Sequence, residues 1–159
     1  MSEAPRRPSV VPLLWYDKPR AAIDWLQKAF GFEATMIVAG DDDSVIHSDL
    51  TLGDGAIYVV GPSDMGQGGA TPAQVGGRNT QSVCVNLTEG IDAHCERARA
   101  AGAKIGREPA DQPYGDRVYT CLDLEGHSWA FAQPARVLTP EEMAAATGRH
   151  IETKGAGNG

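Results

Sequence analysis

Two parts of the chain contain side chains whose types and spacing suit chemistry. His47 and Asp49 are two residues apart in the run VIHSDLTL, so they share one face if this run is a strand. Residues 114–134, YGDRVYTCLDLEGHSWAFAQP, are typical of two strands joined by a tight turn. These side-chain types suit acid–base catalysis, anion binding or thiolate attack. The candidates in the second part are Asp116, Arg117, Tyr119, Cys121, Asp123, Glu125 and His127.

Each candidate in residues 114–134 also has a structural interpretation. Arg117 either binds an anion with its planar guanidinium or forms a local ion pair with Asp116 next to the Tyr114 turn. Cys121 is either a reactive thiol, which needs a nearby cation, or a small buried one. Gly126 indicates a tight turn. We therefore interpret the polar residues on either side of Gly126 as turn residues: Asp123, Glu125 and His127.

Composition limits the classes of function. The chain has 159 residues, a net charge of −7 and a pI of about 5.0, which argues against a nucleic-acid-binding protein because such proteins present a basic face. No apolar run approaches the length of a membrane span, and no apolar leader follows the N-terminal arginines, so we expect no membrane partner. The three cysteines are odd in number and lack a pairing pattern. We therefore expect a protein of the reducing cytoplasm, without disulfides.

The sequence predicts that the chain consists of two similar halves. In each half a strand precedes an amphipathic helix, with apolar stripes in PRAAIDWLQKAFGF and IDAHCERARAAGA, and further strands follow. LTLGDGAIYVVGP and LDLEGHSWAFAQP match without gaps when they are aligned 72 positions apart, whereas the glycines after the helices, Gly31 and Gly102, are 71 apart. A nearly constant offset indicates an internal duplication of a βαβββ unit.

The predicted organisation has five parts. They are a flexible arm (1–9), a first βαβββ unit (10–62), a glycine-rich linker or mobile loop (63–80), a second βαβββ unit (81–134), and a C-terminal helix with a disordered tail (135–159). The fold class is α+β, with two curved mixed sheets around a concave cavity. The run LTPEEMAAATG predicts a helix that begins at Thr139 and Pro140 and ends at Gly148.

Paired βαβββ units with these motifs resemble the vicinal oxygen chelate superfamily, which includes glyoxalase I, bleomycin-resistance proteins and extradiol dioxygenases. The motifs are YDKPRAAIDWLQKAFGFE, VIHSDLTLGDGAIYV, IDAHCERARAAGAKI and YGDRVYTCLDLEGHSWAFA. They cover about residues 10–134 and are most similar to the glyoxalase-like, PhnB-like branch. The resemblance implies that each helix covers one face of its sheet and that the other faces form a ligand cavity. It also implies a homodimer.

Strand alternation assigns side chains to that cavity. In β-strand order, the residues predicted to face it include Val10, Pro12 and Leu14; His47 and Asp49; Tyr58 and Val60; Ser82, Cys84 and Asn86; Arg117, Tyr119 and Cys121; and Ala130 and Ala132. The opposite set, predicted to face the helices, includes Leu13 and Trp15; Leu50; Ile57 and Val59; Leu122 and Leu124; and Trp129 and Phe131. The candidate catalytic residues are His47 and Tyr119. The candidate ligand-binding residues are Asp49, Tyr58, Asn86, Tyr114, Arg117 and Cys121.

The resemblance assigns the superfamily's divalent metal to positions near Val10, Tyr58, Ser82 and Ala130, none of which is a usual ligand. We therefore predict no cofactor. A different metal site could be formed by His47, Asp49 and a third residue such as Tyr119. The alternatives are that His47 and Tyr119 belong to a polar cavity wall, or that His47 is a structural histidine.

Two functions follow from the resemblance and these residues. The first is a metal-independent protein that binds a small organic molecule in its cavity. The second is a lyase or isomerase acting next to a carbonyl, with His47 or Tyr119 as acid or base and Arg117 holding an anion.

Two further residues are given positions by the sequence. His94 is expected on a solvated surface or at an interface, and Trp25 is expected to mark a contact with a partner chain.

Overall fold

The protein is described here by a computed structural model covering residue 4 and residues 6–62 and 68–154. The elements of the first half are β1 (Leu13–Trp15), α1 (Pro19–Phe30), β2 (Glu33–Ala39), β3 (Val45–Leu52) and β4 (Gly55–Val60). A short 3-10 helix (Pro72–Val75) follows. The elements of the second half are β5 (Ser82–Asn86), α2 (Ile91–Ala100), β6 (Lys104–Asp111), β7 (Asp116–Leu122), β8 (Ser128–Pro134) and α3 (Pro140–Thr147).

The strands form two four-stranded mixed sheets with the same topology. The first sheet has the order β1-β4-β3-β2 and the second the order β5-β8-β7-β6. Strand β1 is parallel to β4, and β5 is parallel to β8. The other neighbouring strands are antiparallel. This repetition confirms the predicted α+β fold of two βαβββ units.

The helices begin and end where local signals predict. Pro19 opens α1, and Gly31 closes it in the left-handed conformation that a side chain would disfavour. In α3 the Thr139 hydroxyl accepts a hydrogen bond from the backbone N–H of Glu142, and Gly148 closes the helix. No residue of α3 is buried within the chain. None of the helices in the described parts of the chain is long and apolar enough to cross a membrane.

The two helices contact each other and share one core with both sheets. Phe30 of α1 packs its ring 4.9 Å from Trp129 and 4.8 Å from Phe131 of β8, in the other half. Leu50 of β3 and Cys95 of α2 belong to the same buried cluster. Each sheet therefore has one face against the helices and one face directed away from them, which we call its outer face.

Trp25 contributes to the packing between the two halves. Its indole N–H donates to the carbonyl of Ala101 at 2.7 Å, and its ring meets Phe30 edge-on. The side chain remains half-exposed, and its contact with a partner chain stays a prediction.

His94 also lies where the two halves pack together, so the prediction of a solvated position was wrong. Its Nε2 lies 2.8 Å from the carbonyl oxygen of Phe30, and its Nδ1 lies 2.7 Å from the Tyr119 hydroxyl. A carbonyl only accepts, so Nε2 carries the proton and Nδ1 accepts from Tyr119. Burial is the main cause of the lowered pKa of His94, and the nearby Arg97 lowers it further.

Part of the predicted mobile loop is packed instead. Thr71 and Pro72 are buried, and the amide of Asn79 donates to the carbonyl of Gly126 at 2.8 Å. At Gly69 a Cβ would lie 2.3 Å from the Trp15 indole, so only glycine allows this approach. The remainder of the predicted loop, residues 63–67, lies outside the described residues, as do residues 1–3, 5 and 155–159 of the predicted arm and tail.

The outer and inner faces of β7 are the reverse of those predicted. Tyr119 and Cys121 are buried in the core, whereas Leu122 is exposed. Leu50 pairs with Ile57, and Cys121 pairs with Trp129, so the second hairpin contains one residue more than the first. Strands β3 and β7 therefore match at an offset of 71, as the helix glycines do, whereas β4 and β8 match at 72. A shift of one residue moves every side chain to the opposite face.

The faces of β1 are also reversed. Leu14 is buried in the core, and Leu13 lies opposite Tyr58 on the outer face. Residues 10–15 are nearly all apolar, so the sequence offers no alternation from which to assign the faces. Val60, predicted on the cavity side, is buried. The assignments of Ile57, Val59, Trp129 and Phe131 to the helix side are confirmed.

Candidate functional site

The outer face of the first sheet brings together three predicted site residues. Asp49 of β3 lies directly opposite Tyr58 of β4, and His47 is two residues from Asp49 on the same face. The His47 Nε2 lies 2.7 Å from the Asp49 carboxylate, to which it donates because a carboxylate only accepts. The His47 and Tyr58 rings meet edge-on at 4.7 Å. The side chains of His47 and Asp49 are 34% and 21% exposed, so this group is accessible to a ligand.

Apolar side chains surround this polar group. Met36 and Val38 of β2 pair with Asp49 and His47, and both are more than 40% exposed. Leu13 of β1 lies on the opposite side of Tyr58. We call the set of six residues the first outer face: Leu13, Met36, Val38, His47, Asp49 and Tyr58. A polar centre with an apolar border is the usual composition of a small-molecule site.

The outer face of the second sheet has a different chemistry. Asn86 is exposed there, as predicted, opposite Ala132. Cys84 is exposed opposite Ala130, and Thr120 and Arg107 lie opposite one another nearer the other edge. Small side chains dominate this face, and it has no aromatic ring at the position that corresponds to Tyr58.

The structure separates Tyr119 and Cys121 from His47. Both lie on the helix side of β7, where the Tyr119 ring stacks on Phe131 at 5.0 Å. Burial raises the pKa of the Tyr119 hydroxyl, and it raises the pKa of the Cys121 thiol to about 12. A hydroxyl and a thiol that keep their protons at neutral pH are poor bases and nucleophiles. Neither residue can act together with His47 within one chain.

Arg117 is also on the helix side, contrary to the prediction. Its guanidinium donates to Asp92 at the start of α2 and to Asp111 of β6, at 3.0 and 3.1 Å. These two hydrogen-bonded carboxylates raise the pKa of Arg117. Asp116 is not its partner, so the local pair considered from the sequence does not form. Tyr114 lies exposed in the turn before β7 and is not brought to the first outer face.

The positions that the resemblance assigns to a metal do not provide a suitable ligand set. Val10 lies before β1 and is almost fully exposed, and register places Leu13 rather than Val10 opposite Tyr58. In the second sheet Ser82 is hydrogen-bonded to Ser128, and Cys84 lies opposite Ala130. Divalent ions at such sites need converging imidazole or carboxylate groups, which these positions lack.

His47 and Asp49 also lack a third ligand within the described residues. The one cluster there of three His, Cys, Asp or Glu groups is Cys95, Glu96 and Glu108, on α2 and β6. Arg99 already binds both of its carboxylates, and burial raises the pKa of the Cys95 thiol. Tyr119, the third ligand considered from the sequence, lies on the opposite side of its sheet. We derive no metal-dependent step from these residues.

The most extensive polar contacts between the halves come from the loop after β7, which the sequence indicated only as a turn. Asp123 is buried and accepts four hydrogen bonds: from the Tyr16 hydroxyl, the Trp129 indole and the backbone N–H groups of Glu125 and His127. The Glu125 carboxylate accepts from the backbone of Asp17 and Lys18. The His127 Nε2 donates to the carbonyl of Trp15. The polar residues of DLEGH thus have a structural role, holding the first half against the second.

A cavity of about 380 Å³ lies between the edge strands β1 and β5, and Leu13 of the first outer face also lines it. Its wall includes Trp15, Val83, His127 and the linker residues Gly69, Arg78 and Asn79. The nitrogen Nε2 of His127 and the amide of Asn79 are already hydrogen-bonded to backbone groups. His47, Asp49 and Tyr58 are not part of this cavity.

Comparison with known proteins identifies the family. The sequence profile of the Glyoxalase/Bleomycin resistance protein/Dioxygenase superfamily matches residues 10–131. An uncharacterised protein of Mycobacterium bovis is 33% identical over 142 residues, which cover 87% of this chain and 91% of that protein. The crystal structure of TioX from Micromonospora sp. ML1 is similar with a TM-score of 0.64 and 33% identity, over 78% of this chain and 96% of TioX.

A further structure supports the fold. A glyoxalase/bleomycin resistance protein/dioxygenase from Nocardioides aligns with a TM-score of 0.60 and 18% identity, over 86% of this chain and 90% of that one. Together with the profile match, these similarities extend over both βαβββ units. The chain belongs to the glyoxalase/bleomycin resistance protein/dioxygenase superfamily.

Proposed function

We propose that the protein binds a small organic molecule on the first outer face, without the divalent metal used by many members of its superfamily. The observation that carries this proposal is the group of His47, Asp49 and Tyr58 within an exposed apolar border. Exposed apolar side chains are individually ordinary, but here they surround hydrogen-bonding groups that are already oriented. The bound molecule would cover Met36 and Val38 and hydrogen-bond to the polar centre.

The proposal of metal independence is supported by the side chains themselves. The register assigns Leu13, Tyr58, Cys84 and Ala130 to the strand positions where the superfamily's ligands are expected. None of these four side chains is an imidazole or a carboxylate, so the four positions are a poor match for the usual ion. Among the superfamily's branches, the motifs of the chain favour the glyoxalase-like, PhnB-like one.

We also propose that two chains form a homodimer around the ligand. In the described part of a single chain, no other element buries Met36 and Val38, which are 43% and 42% exposed. The apolar border of the first outer face is therefore exposed in a single chain. A second copy placed on this face would enclose the bound molecule and bury Met36 and Val38.

A second candidate function is supported by the His47–Asp49 hydrogen bond. An imidazole that donates through Nε2 to a carboxylate presents Nδ1 as a base in a fixed orientation. Such a pair can remove a proton next to a carbonyl group, with Asp49 as a positioning residue. Tyr119 and Arg117 have no part in this version, because both lie on the opposite face of their strand.

Binding is tested by a thermal-shift screen of small aromatic and amphipathic compounds, followed by calorimetric titration of the hits. The proposal expects saturable binding that persists after dialysis against a chelator. His47→Ala should weaken binding at least about tenfold, because one buried polar contact contributes roughly 1–3 kcal/mol. His150→Ala, in the exposed region after α3, is the matched control and should bind like the wild type.

Two results would contradict the proposal. Binding that disappears after chelation and returns with a divalent ion would exclude metal independence. Binding that His47→Ala leaves unchanged would move the site away from the first outer face. Catalytic turnover of a hit that His47→Ala abolishes would instead favour the second candidate function.

A further inference from the structure

We propose that the first outer face selects ligands in which an ammonium group is attached to an aromatic or apolar body, and that it disfavours carboxylates. This inference rests on the proposed function, since it defines the ligand class of the same site. It follows from the distribution of charge, hydrogen-bond acceptors and aromatic rings on the first sheet.

The strands of the first sheet carry negative charge alone. Their sequences LLW, EATMIVA, VIHSDLTL and GAIYVV contain Glu33 and Asp49 and neither lysine nor arginine. Glu33 lies opposite Thr51, which is on the same side as Asp49. Arg6 and Arg7 line a cavity with Thr51, at the Glu33 end of the face. A carboxylate ligand beside Asp49 would meet like charge with no lysine or arginine from these strands to bind it. An ammonium group would meet opposite charge.

Asp49 has an oxygen available for such a group. His47 donates to Oδ1, and among the described residues no hydrogen bond reaches Oδ2. The carboxylate is partly buried, at 21% exposure, so its interaction with a bound cation is screened less than at an open surface. The His47 hydrogen bond also fixes the orientation of the carboxylate before a ligand arrives.

Aromatic rings lie next to this carboxylate. Tyr58 is directly opposite Asp49 across the β3–β4 pair, and the His47 ring meets Tyr58 edge-on. A ring face within about 6 Å attracts an ammonium group electrostatically. The apolar side chains Met36, Val38 and Leu13 contact the remainder of the ligand. A carboxylate, a tyrosine ring and an apolar border together match an aromatic amine.

The second sheet provides a contrast within the same chain. Its outer face carries Arg107 opposite Thr120, and it has alanine where the first has Tyr58. The preference for an amine therefore belongs to the first sheet and is not a general property of this fold. The net charge of −7 adds a long-range attraction for cations.

The test compares three probes that share one aromatic body: naphthylethylamine, naphthylethanol and naphthylacetate. Dissociation constants are measured by calorimetry with the wild type, Asp49→Asn and Asp24→Asn. Asp24 is an exposed residue of α1, so its variant makes the same change of charge away from the site. The expected result is that the amine binds at least about tenfold more tightly than the carboxylate to the wild type. Asp49→Asn should remove most of this preference, and Asp24→Asn should retain it.

The outcomes separate this inference from the proposed function. If the carboxylate binds as tightly as the amine and His47→Ala still weakens both, the proposed site stands and the amine preference is wrong. If the preference survives in Asp49→Asn, the charge of Asp49 is not its cause and the inference is overturned. If none of the three probes binds, the proposed function fails in its aromatic form and the inference fails with it.

Discussion

Asp123 shows how one carboxylate can hold two halves of a chain together. It is buried, yet each of its oxygens accepts two hydrogen bonds. Oδ2 accepts from the side chains of Tyr16 and Trp129, and Oδ1 accepts from two backbone N–H groups. A buried charge is tolerated when its hydrogen-bonding capacity is satisfied in this way. Burial and the neighbouring Asp123 charge raise the pKa of Tyr16, which therefore remains a donor.

We predict that Asp123→Ala lowers the free energy of unfolding by about 3 kcal/mol, because it leaves the buried Tyr16 hydroxyl and Trp129 indole without an acceptor. Urea denaturation followed by circular dichroism measures this change. Asp24→Asn, on the surface of α1, should stay within about 0.5 kcal/mol of the wild type. A loss below about 1 kcal/mol for Asp123→Ala would mean that the four hydrogen bonds are replaced or that they contribute little.

At the scale of elements, both ends of α1 are completed by side chains of the second half. Glu125 accepts from the N–H groups of Asp17 and Lys18 before the first turn. At the last turn Arg97 donates to the carbonyls of Gln27 and Lys28, and His94 donates to Phe30. Acidic groups at the start and basic groups at the end of a helix complement its dipole. The first helix thus depends on the second half for its caps.

We predict a pH-dependent contribution of His94 to stability. Burial lowers its pKa in the folded protein, so the unfolded chain takes up the proton first as the pH falls. The contribution is present above the ordinary histidine pKa of about 6.5 and is lost as the pH falls through the lower folded value. Protonation of Nδ1 would also remove the acceptor of the Tyr119 hydroxyl.

The measurement is the free energy of unfolding from pH 8 to pH 5 for the wild type, His94→Gln and His150→Gln. The difference between the wild type and His94→Gln should shrink as the pH falls, whereas His150→Gln should follow the wild type. A constant difference across this range would show that His94 does not titrate with folding.

Local signals in the sequence were sufficient for the elements but not for all of their faces. The caps of α1 and α3 and the duplicated βαβββ order follow from residues close together in the chain. The faces of β1 depend on Tyr58 and the helices, which an all-apolar run does not reveal. The faces of β7 depend on one extra residue in the following loop. The offset of 71 between Gly31 and Gly102 was the signal that could have corrected the alignment.

The candidate site was predicted in part for the same reason. His47, Asp49 and Tyr58 were assigned to one face because β3 alternates clearly and β4 is short. Tyr119, Arg117 and Cys121 were assigned to it through the wrong offset. Asp123 resembles any turn aspartate in sequence, since its partner Tyr16 is 107 residues away. The polar contacts between the halves are therefore visible only in the folded chain.

At the scale of the whole molecule, both helices and both sheets share one core, and the first outer face lies outside that core. We expect a homodimer in which a second copy covers the first outer face. Sedimentation velocity should give a dimer at micromolar concentration, and Val38→Glu should weaken the dimer at least about tenfold by burying a charge. Val137→Glu, at a valine that is 94% exposed, is the matched control. A monomeric wild type would contradict this arrangement.

The most direct test of the central claim, that the first outer face is the binding site, is to map a bound ligand by NMR on isotopically labelled protein. Naphthylethylamine is titrated, and amide shifts are followed residue by residue. We predict the largest shifts at Met36, Val38, His47, Asp49 and Tyr58, with little change at Tyr119 and Cys121. Shifts concentrated instead at Trp15, Arg78 and Val83, around the cavity between β1 and β5, would contradict the claim and place the site there.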